Sequence, residues 1–228
     1  MRTLSLEEID LIKKSIIRKN ITSAEILSEV YDHYLTHLEN LPEDDFKYGL
    51  NELDEKFTYN FCKKLQRDQK NSNRREIKTL QKEVFKSYFT WPRFAFTLFF
   101  IASISYLGTL IPFKTQVILF IMIPLIFIVG LNFVVMFRTR IKLKPLKNDF
   151  SGQSYKINSL TSEYLTLQLH WPITLTNIFL HVPRILGLTD FIPEYLYSFL
   201  SVATCIFLVF YGLILFEVFK IKSKTAFL

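Results

Sequence analysis

Two long apolar runs, Phe94–Ile111 and Val117–Phe137, stand out along the chain, and only Pro-Phe-Lys-Thr-Gln separates them. Each approaches the roughly 20 apolar residues that a helix needs to cross the hydrocarbon core of a bilayer. So short a connection, marked by proline, predicts an antiparallel helical hairpin in a membrane. A further run, Leu196–Phe216, carries no charge and is followed by Lys220, Lys222 and Lys224. Between these lies Tyr164–Leu186, apolar on average but interrupted by Pro172 and dotted with polar side chains.

The first ninety residues read differently. Residues 4–41 have the periodicity of two short amphipathic helices. Ser5 and Glu8 form a capping box, followed by Leu6, Ile9, Ile12 and Ile16 at helical spacing. Asn20-Ile21 breaks the pattern, and Thr22 with Glu25 predicts a second capping box. The next buried stripe is Leu27, Val30, Tyr31, Tyr34 and Leu38, and Pro42 is placed to open the following helix. Phe46, Leu50, Leu53, Phe57, Phe61 and Leu65 make a third stripe. A helical domain of about 65 residues is marginal alone, and should lean on a partner, a second copy or the membrane.

Residues 66–75 are polar without periodicity and read as a linker or frayed helix end. Helical spacing resumes with Ile77, Leu80, Val84 and Tyr88, while Lys78, Lys82 and Lys86 recur every four residues. That is the pattern of a basic helix lying on anionic headgroups, or of an ordinary solvated helix feeding the first span. Trp91 fits an interfacial aromatic belt, and Pro92 opens the span.

Charge sets the topology. The chain of 228 residues has a formal net charge of +7. Acidic residues outnumber basic ones thirteen to six over Met1–Glu55, and basic outnumber acidic ten to three over Lys56–Thr90. Arg138, Arg140, Lys142, Lys144 and Lys147 follow the second run, ahead of a polar stretch, 148–162, that reads as a loop. If the Tyr164–Leu186 stretch also spans, all the basic clusters share one side, as positive-inside requires. The expectation is therefore an all-α protein in three parts. These are an acidic cytosolic domain (1–65), a basic linker and juxtamembrane helix (66–91), and a four-helix membrane bundle (92–228). Its spans fall near 94–111, 117–137, 164–186 and 196–216, with both termini cytoplasmic in a bacterial inner membrane. Abundant Lys, Asn, Ile and Phe with few Gly and Ala point to an AT-rich, bacterial genome. The start lacks the apolar core of a signal peptide, which keeps the N-terminal part on the side where it is made. Cys62 and Cys205 lie in segments too unlike to form a disulfide framework.

Two constellations bear on function. In the third span Glu163, Thr166, His170, Thr174, Asn177, His181 and Arg184 recur every three or four residues and so share one helix face. Polar groups are expensive in hydrocarbon, so this face is expected to point into the bundle. It could bond the helices together, belong to a helix lying flat in the interface, contact another subunit, or line a polar path or ligand site, histidine being the side chain that titrates near neutral pH. On the second N-terminal helix, Glu29, His33 and His37 are four residues apart and Asp32 adjoins them. Such spacing can present metal ligands, but no further His or Cys completes a site and H-E-x-x-H is absent. A solvated or interface face is the preferred reading, and these four residues are the candidates for partner contact.

Phosphate-cradling glycine loops, a G-x-S-x-G elbow and C-x-x-C pairs are missing from the sequence. No enzyme, metal or cofactor is expected. A nucleic-acid partner is not expected either, because the basic residues hug the membrane and the N-terminal part is acidic. The segments Leu4-Ser-Leu-Glu-Glu-Ile and Ile26-Leu-Ser-Glu-Val-Tyr-Asp-His33 resemble the HAAS-type helical domain, as do Glu39–Asp45 and the Phe46–Phe57 helix. Such domains precede membrane spans in bacterial proteins often encoded beside PadR-like transcription regulators. The resemblance covers the first 65 residues and implies a regulatory, partner-contacting module on a membrane body. The rival expectation is a small transporter, or a transporter's accessory subunit, working through the polar face of the third span.

Overall fold

The computed structural model describes residues 2–151, 156–185 and 193–224, except the side chains at 113, 114, 117, 177, 179–185, 194 and 197. Every regular element among them is a helix. The order is α1 (Leu6–Arg18), α2 (Ala24–Glu39), a 3-10 turn (Glu43–Asp45), α3 (Phe46–Lys56), α4 (Tyr59–Ser87) and α5 (Arg93–Leu110), then α6 (Phe113–Gln116), a π-helical stretch (Val117–Met122), α7 (Ile123–Asp149), α8 (Leu160–Ile185) and α9 (Glu194–Lys222). Two compact units divide the chain: Met1–Arg75 with Arg138–Glu163, and Glu76–Phe137 with Tyr164–Thr225.

In the first unit the Ser5–Glu8 capping box forms in full: Glu8 N–H donates to Ser5 Oγ (3.3 Å) and Ser5 N–H donates to Glu8 Oε2 (2.8 Å). Helix α1 ends where Asn20 takes φ 54°, a left-handed conformation that asparagine tolerates better than most residues. The second box does not form. Helix α2 is capped by Ser23, one residue later, and this places Glu25 at the wrong position to reach back to its own cap. The third stripe is also split. Thr58 Oγ1 accepts from Phe61 N–H (3.2 Å) and starts α4, so Phe57 ends the preceding segment and Cys62 is buried instead of Phe61. Residues 66–75, expected as a linker or frayed end, lie inside α4.

The core of this unit is Ile12, Ile16, Leu27, Val30, Tyr34, Leu38 and Leu53 from the N-terminal helices, joined by Leu143, Phe150 and Ile157 from far along the chain. The basic run after the second apolar stretch is helical, since α7 continues to Asp149, and Leu143 is buried with α1 and α2. At the edge of the core Asp54 accepts from Tyr34 OH (2.9 Å), from Ser15 Oγ and from Lys19 Nζ (3.0 Å). Burial works to raise the Asp54 carboxyl, but the Ser15, Lys19 and Tyr34 bonds and the Lys19 charge outweigh it and hold the group below the usual carboxylate range. Burial, and then the Asp54 partner, push the Tyr34 phenol well upward.

Among the described residues three helices are long and apolar enough to cross a membrane: Arg93–Leu110, Ile118–Asp149 and Ser198–Lys222. The first and last lie in the second unit, as does the apolar part of Ile118–Asp149 up to Phe137. Their outer faces carry exposed Phe96, Phe99, Ile126, Phe133 and Phe207. That is the surface lipid would solvate, and water would not. Inside, Gln116 satisfies the turn between the first two: its Nε2 donates to Gly108 O and Ile111 O (both 2.7 Å), and its Oε1 accepts from Ser201 Oγ (2.7 Å). At Gly108, α5 and α9 approach so closely that an added Cβ would lie 2.5 Å from Val202 Cγ2. Small residues permit such backbone contact between membrane helices.

Two consequences are measurable. Gly108→Val should destabilise the α5–α9 contact by about 1–3 kcal/mol in detergent unfolding, and Val202→Ala in the same chain should recover most of the loss. Because the folded-state pKa of Asp54 lies below its unfolded value, its contribution is present above about pH 3.9 and is lost as pH falls through the folded value. Thermal melts should show stability of the first unit dropping in that acid window. Asp54→Asn should remove this acid-dependent component and lower stability at neutral pH.

Candidate functional site

Thr22, Ser23 and Ala24, the residues that open α2, form one half of a joint with the start of α8. Asn158 N–H donates to Thr22 O, and Ala24 N–H donates to Asn158 O, both at 2.9 Å. This pair of bonds is a two-residue parallel bridge between segments far apart in sequence. Beside it the Glu25 carboxylate turns away from its own helix. Oε1 accepts from Ser159 Oγ (2.6 Å), while Oε2 accepts from Leu160 N–H (3.1 Å) and Ser23 Oγ (3.0 Å). Ser159 in turn caps α8, its Oγ accepting from Ser162 N–H (3.3 Å). The first N–H groups of a helix have no partner within it and carry partial positive charge, so a carboxylate is favoured there. On the other flank Gln66 Oε1 of α4 accepts from Thr22 N–H (3.0 Å) and Ser23 N–H (3.3 Å).

The end of α7 is held by the same helices. Tyr31 of α2 sets its ring edge-on to Phe150, centroids 5.2 Å apart, and Lys13 of α1 pairs with Asp149 (3.6 Å). Helices α1 and α2 therefore grip both ends of the connection from α7 to α8. Helix α4 reinforces the grip: Lys70 pairs with Glu163 (2.9 Å) and Asn73 Nδ2 donates to Thr161 Oγ1 (3.1 Å). Thr139 of α7 donates to Ser162 (2.9 Å).

The residues expected on the α2 contact face separate. Glu29, Asp32 and His33 are exposed, whereas His37 turns partly inward, its Nε2 enclosed and without a hydrogen-bond partner among the described residues. The His33 ring packs edge-on against Phe57 at 5.2 Å. Among the described residues no group of three His, Cys, Asp or Glu is placed to hold a metal ion.

The described part of the polar face of the third apolar stretch lies at the surface, where the expectation had it facing the bundle. Glu163, His170 and Thr174 are exposed and Thr166 is half-buried, while the side chains of Asn177, His181 and Arg184 lie outside the described residues. Leu165 and Leu169 turn inward with Pro172 and Thr176, a stripe about a third of a turn away from the polar one. The reason is competition for the interior: two leucines gain more from burial than the polar set, whose Glu163 finds Lys70 outside. Thr174 Oγ1 satisfies itself by donating back to His170 O (3.2 Å).

Sequence reasoning gave Glu25 to its own helix's cap and passed over Gln66, Asn158 and Ser159. The available signal was local: Asn158-Ser159 offers the cap residues of a helix start, and nothing in sequence ties it to α2. Compared with family models, with curated proteins and with solved structures, the chain matches none of them.

Removing the Glu25 carboxylate isolates what it does. Glu25→Ala should lower the stability of the first unit by about 1–3 kcal/mol and speed hydrogen exchange at the Leu160–Glu163 amides, with α5 amides unchanged.

Proposed function

We propose that this chain is a non-enzymatic, multi-pass protein of a bacterial inner membrane that passes a signal between its membrane helices and a protein partner. The observation that carries this reading is the grip of α1 and α2 on the α7–α8 connection. A tilt or rotation of α7 or α8 would move the Ser159–Ser162 turn that Glu25 holds, and with it the presentation of Glu29, Asp32 and His33 on the outer side of α2. The resemblance to HAAS-type domains agrees with such a contact module.

Four spans with both termini cytoplasmic fit the second unit. Gln168, near the start of α8, bonds to Gln81 of α4, and Lys222, at the end of α9, pairs with Glu76 of the same helix. The start of α8 and the end of α9 thus lie beside one stretch of α4. Helix α9 is 29 residues, about 43 Å, long, so its own start is a bilayer's thickness away. The 26 residues of α8, about 39 Å, are what brings the chain across. The first unit joins the N-terminal helices to the basic residues 138–147, which supports one cytosolic side for both.

A second reading has one specific observation in its favour. Exposed Glu163, His170 and Thr174 favour a subunit contact on α8, as in an accessory subunit of a transporter, over a path through the bundle.

The test is a detergent pull-down from the native host with the full chain as bait. Charge reversal at Glu29→Lys and Asp32→Lys should reduce recovery of the partner by about tenfold or more while membrane insertion is retained. Deletion of residues 1–65 should abolish recovery. Undiminished recovery in both variants would sink the proposal.

A further inference from the structure

The corner between α4 and α5 has a face that neither unit's core uses. Phe85 and Phe89 are 48% and 53% exposed with their rings 5.1 Å apart, and Trp91 is 80% exposed. Lys78, Lys82 and Lys86 are exposed too, and none has an ion-pair partner among the described residues. At 3.6 residues per turn Lys78, Lys82, Phe85 and Lys86 fall within about 100° of one another. The opposite side of α4 buries Ile77 and Val84. Glu83 is the one exposed carboxylate of this stretch, about 100° round the helix from Lys82.

The height of this face is set by rigid contacts. Arg93, the first residue of α5, donates to Ser87 Oγ (2.8 Å) and pairs with Glu217 (3.2 Å), where the apolar part of α9 ends. Thr97 Oγ1 donates to Tyr88 O (3.1 Å), and the Tyr88 ring meets Phe210 at 5.5 Å. Helix α4 therefore does not lie flat. It stands antiparallel to the last turns of α9, from the Glu76–Lys222 pair up to Tyr88 and Glu217. The aromatic rings sit at the foot of the first span and the lysines descend from them toward water. An ordinary solvated helix has no use for exposed aromatic rings at its membrane end. A headgroup layer accommodates both, the rings among acyl chains and the ammonium groups among phosphates.

We propose that this corner binds the headgroup of an anionic membrane lipid, with Lys82 and Lys86 holding its phosphate and Phe85, Phe89 and Trp91 facing its acyl chains. The inference rests on the reading of α5 and α9 as membrane spans. Net positive charge on the face selects an anionic over a zwitterionic headgroup. A bound lipid would brace the α4–α5 corner against α9.

The test uses the purified full chain in maltoside micelles with Trp171→Phe, which leaves Trp91 as the single tryptophan. Phosphatidylglycerol or phosphatidylcholine with brominated acyl chains is added and Trp91 quenching is followed. Phosphatidylglycerol should quench at a roughly tenfold lower mole fraction, and added salt should weaken the difference. Lys82→Gln with Lys86→Gln should make the two lipids equal while both still quench. Equal quenching in the parent, or a preference that survives the double substitution, overturns the proposal and leaves the spans standing. A dimer in sedimentation that the double substitution dissolves, without lipid preference, assigns the face to a second copy and overturns it too. If neither lipid quenches and the protein stays in solution without detergent, the membrane reading itself fails.

Discussion

One carboxylate ties together parts of the chain 134 residues apart: Glu25, which accepts from Ser159 Oγ and sits at the start of α8. A helix N-terminus presents unmet N–H groups that must find acceptors in protein or water. Here the acceptor comes from another helix, so α2 and α8 cannot separate without uncapping one of them. The backbone bridge at Asn158 and the Tyr31–Phe150 contact extend the same dependence to the end of α7. An N-terminal domain of some 65 residues was expected to lean on something outside itself. It leans on its own chain, through Leu143, Phe150 and Ile157.

The sequence was legible where apolar periodicity carried the fold. The capping box of α1, the helical course of the first two apolar runs and the apolar part of α9 were all read from spacing alone. Helix α4 was not, and the reason is physical. Its 66–75 segment is held by polar contacts (Gln66 to Thr22 and Ser23, Lys70 to Glu163, Asn73 to Thr161), so it has no hydrophobic stripe to find. The described residues of the α8 polar face share that face as spacing has it, but Glu163, His170 and Thr174 are exposed. Spacing shows that residues share a face; which way the face points depends on what the neighbours offer, and Leu165 and Leu169 took the interior. The α2 face was half legible. Glu29, Asp32 and His33 are exposed together, but one more turn brings His37 under cover. Glu25 was misread because a capping box within its own helix was the nearest explanation.

The two kinds of interface in this chain differ in what they ask of a moving helix. Apolar contacts such as Gly108 on Val202 are close-packed and lose dispersion energy steeply with small displacements. The contacts at the α7–α8 connection are hydrogen bonds, each with a net worth of about 1 kcal/mol because water competes for both partners. Such bonds break singly and re-form one donor over. Within the first unit, movement therefore belongs at the polar joint; within the second, the apolar contact of α5 with α9 is the rigid one. A lipid at the α4–α5 corner would bear on the foot of that apolar contact, where Arg93, Glu217 and Tyr88 already meet.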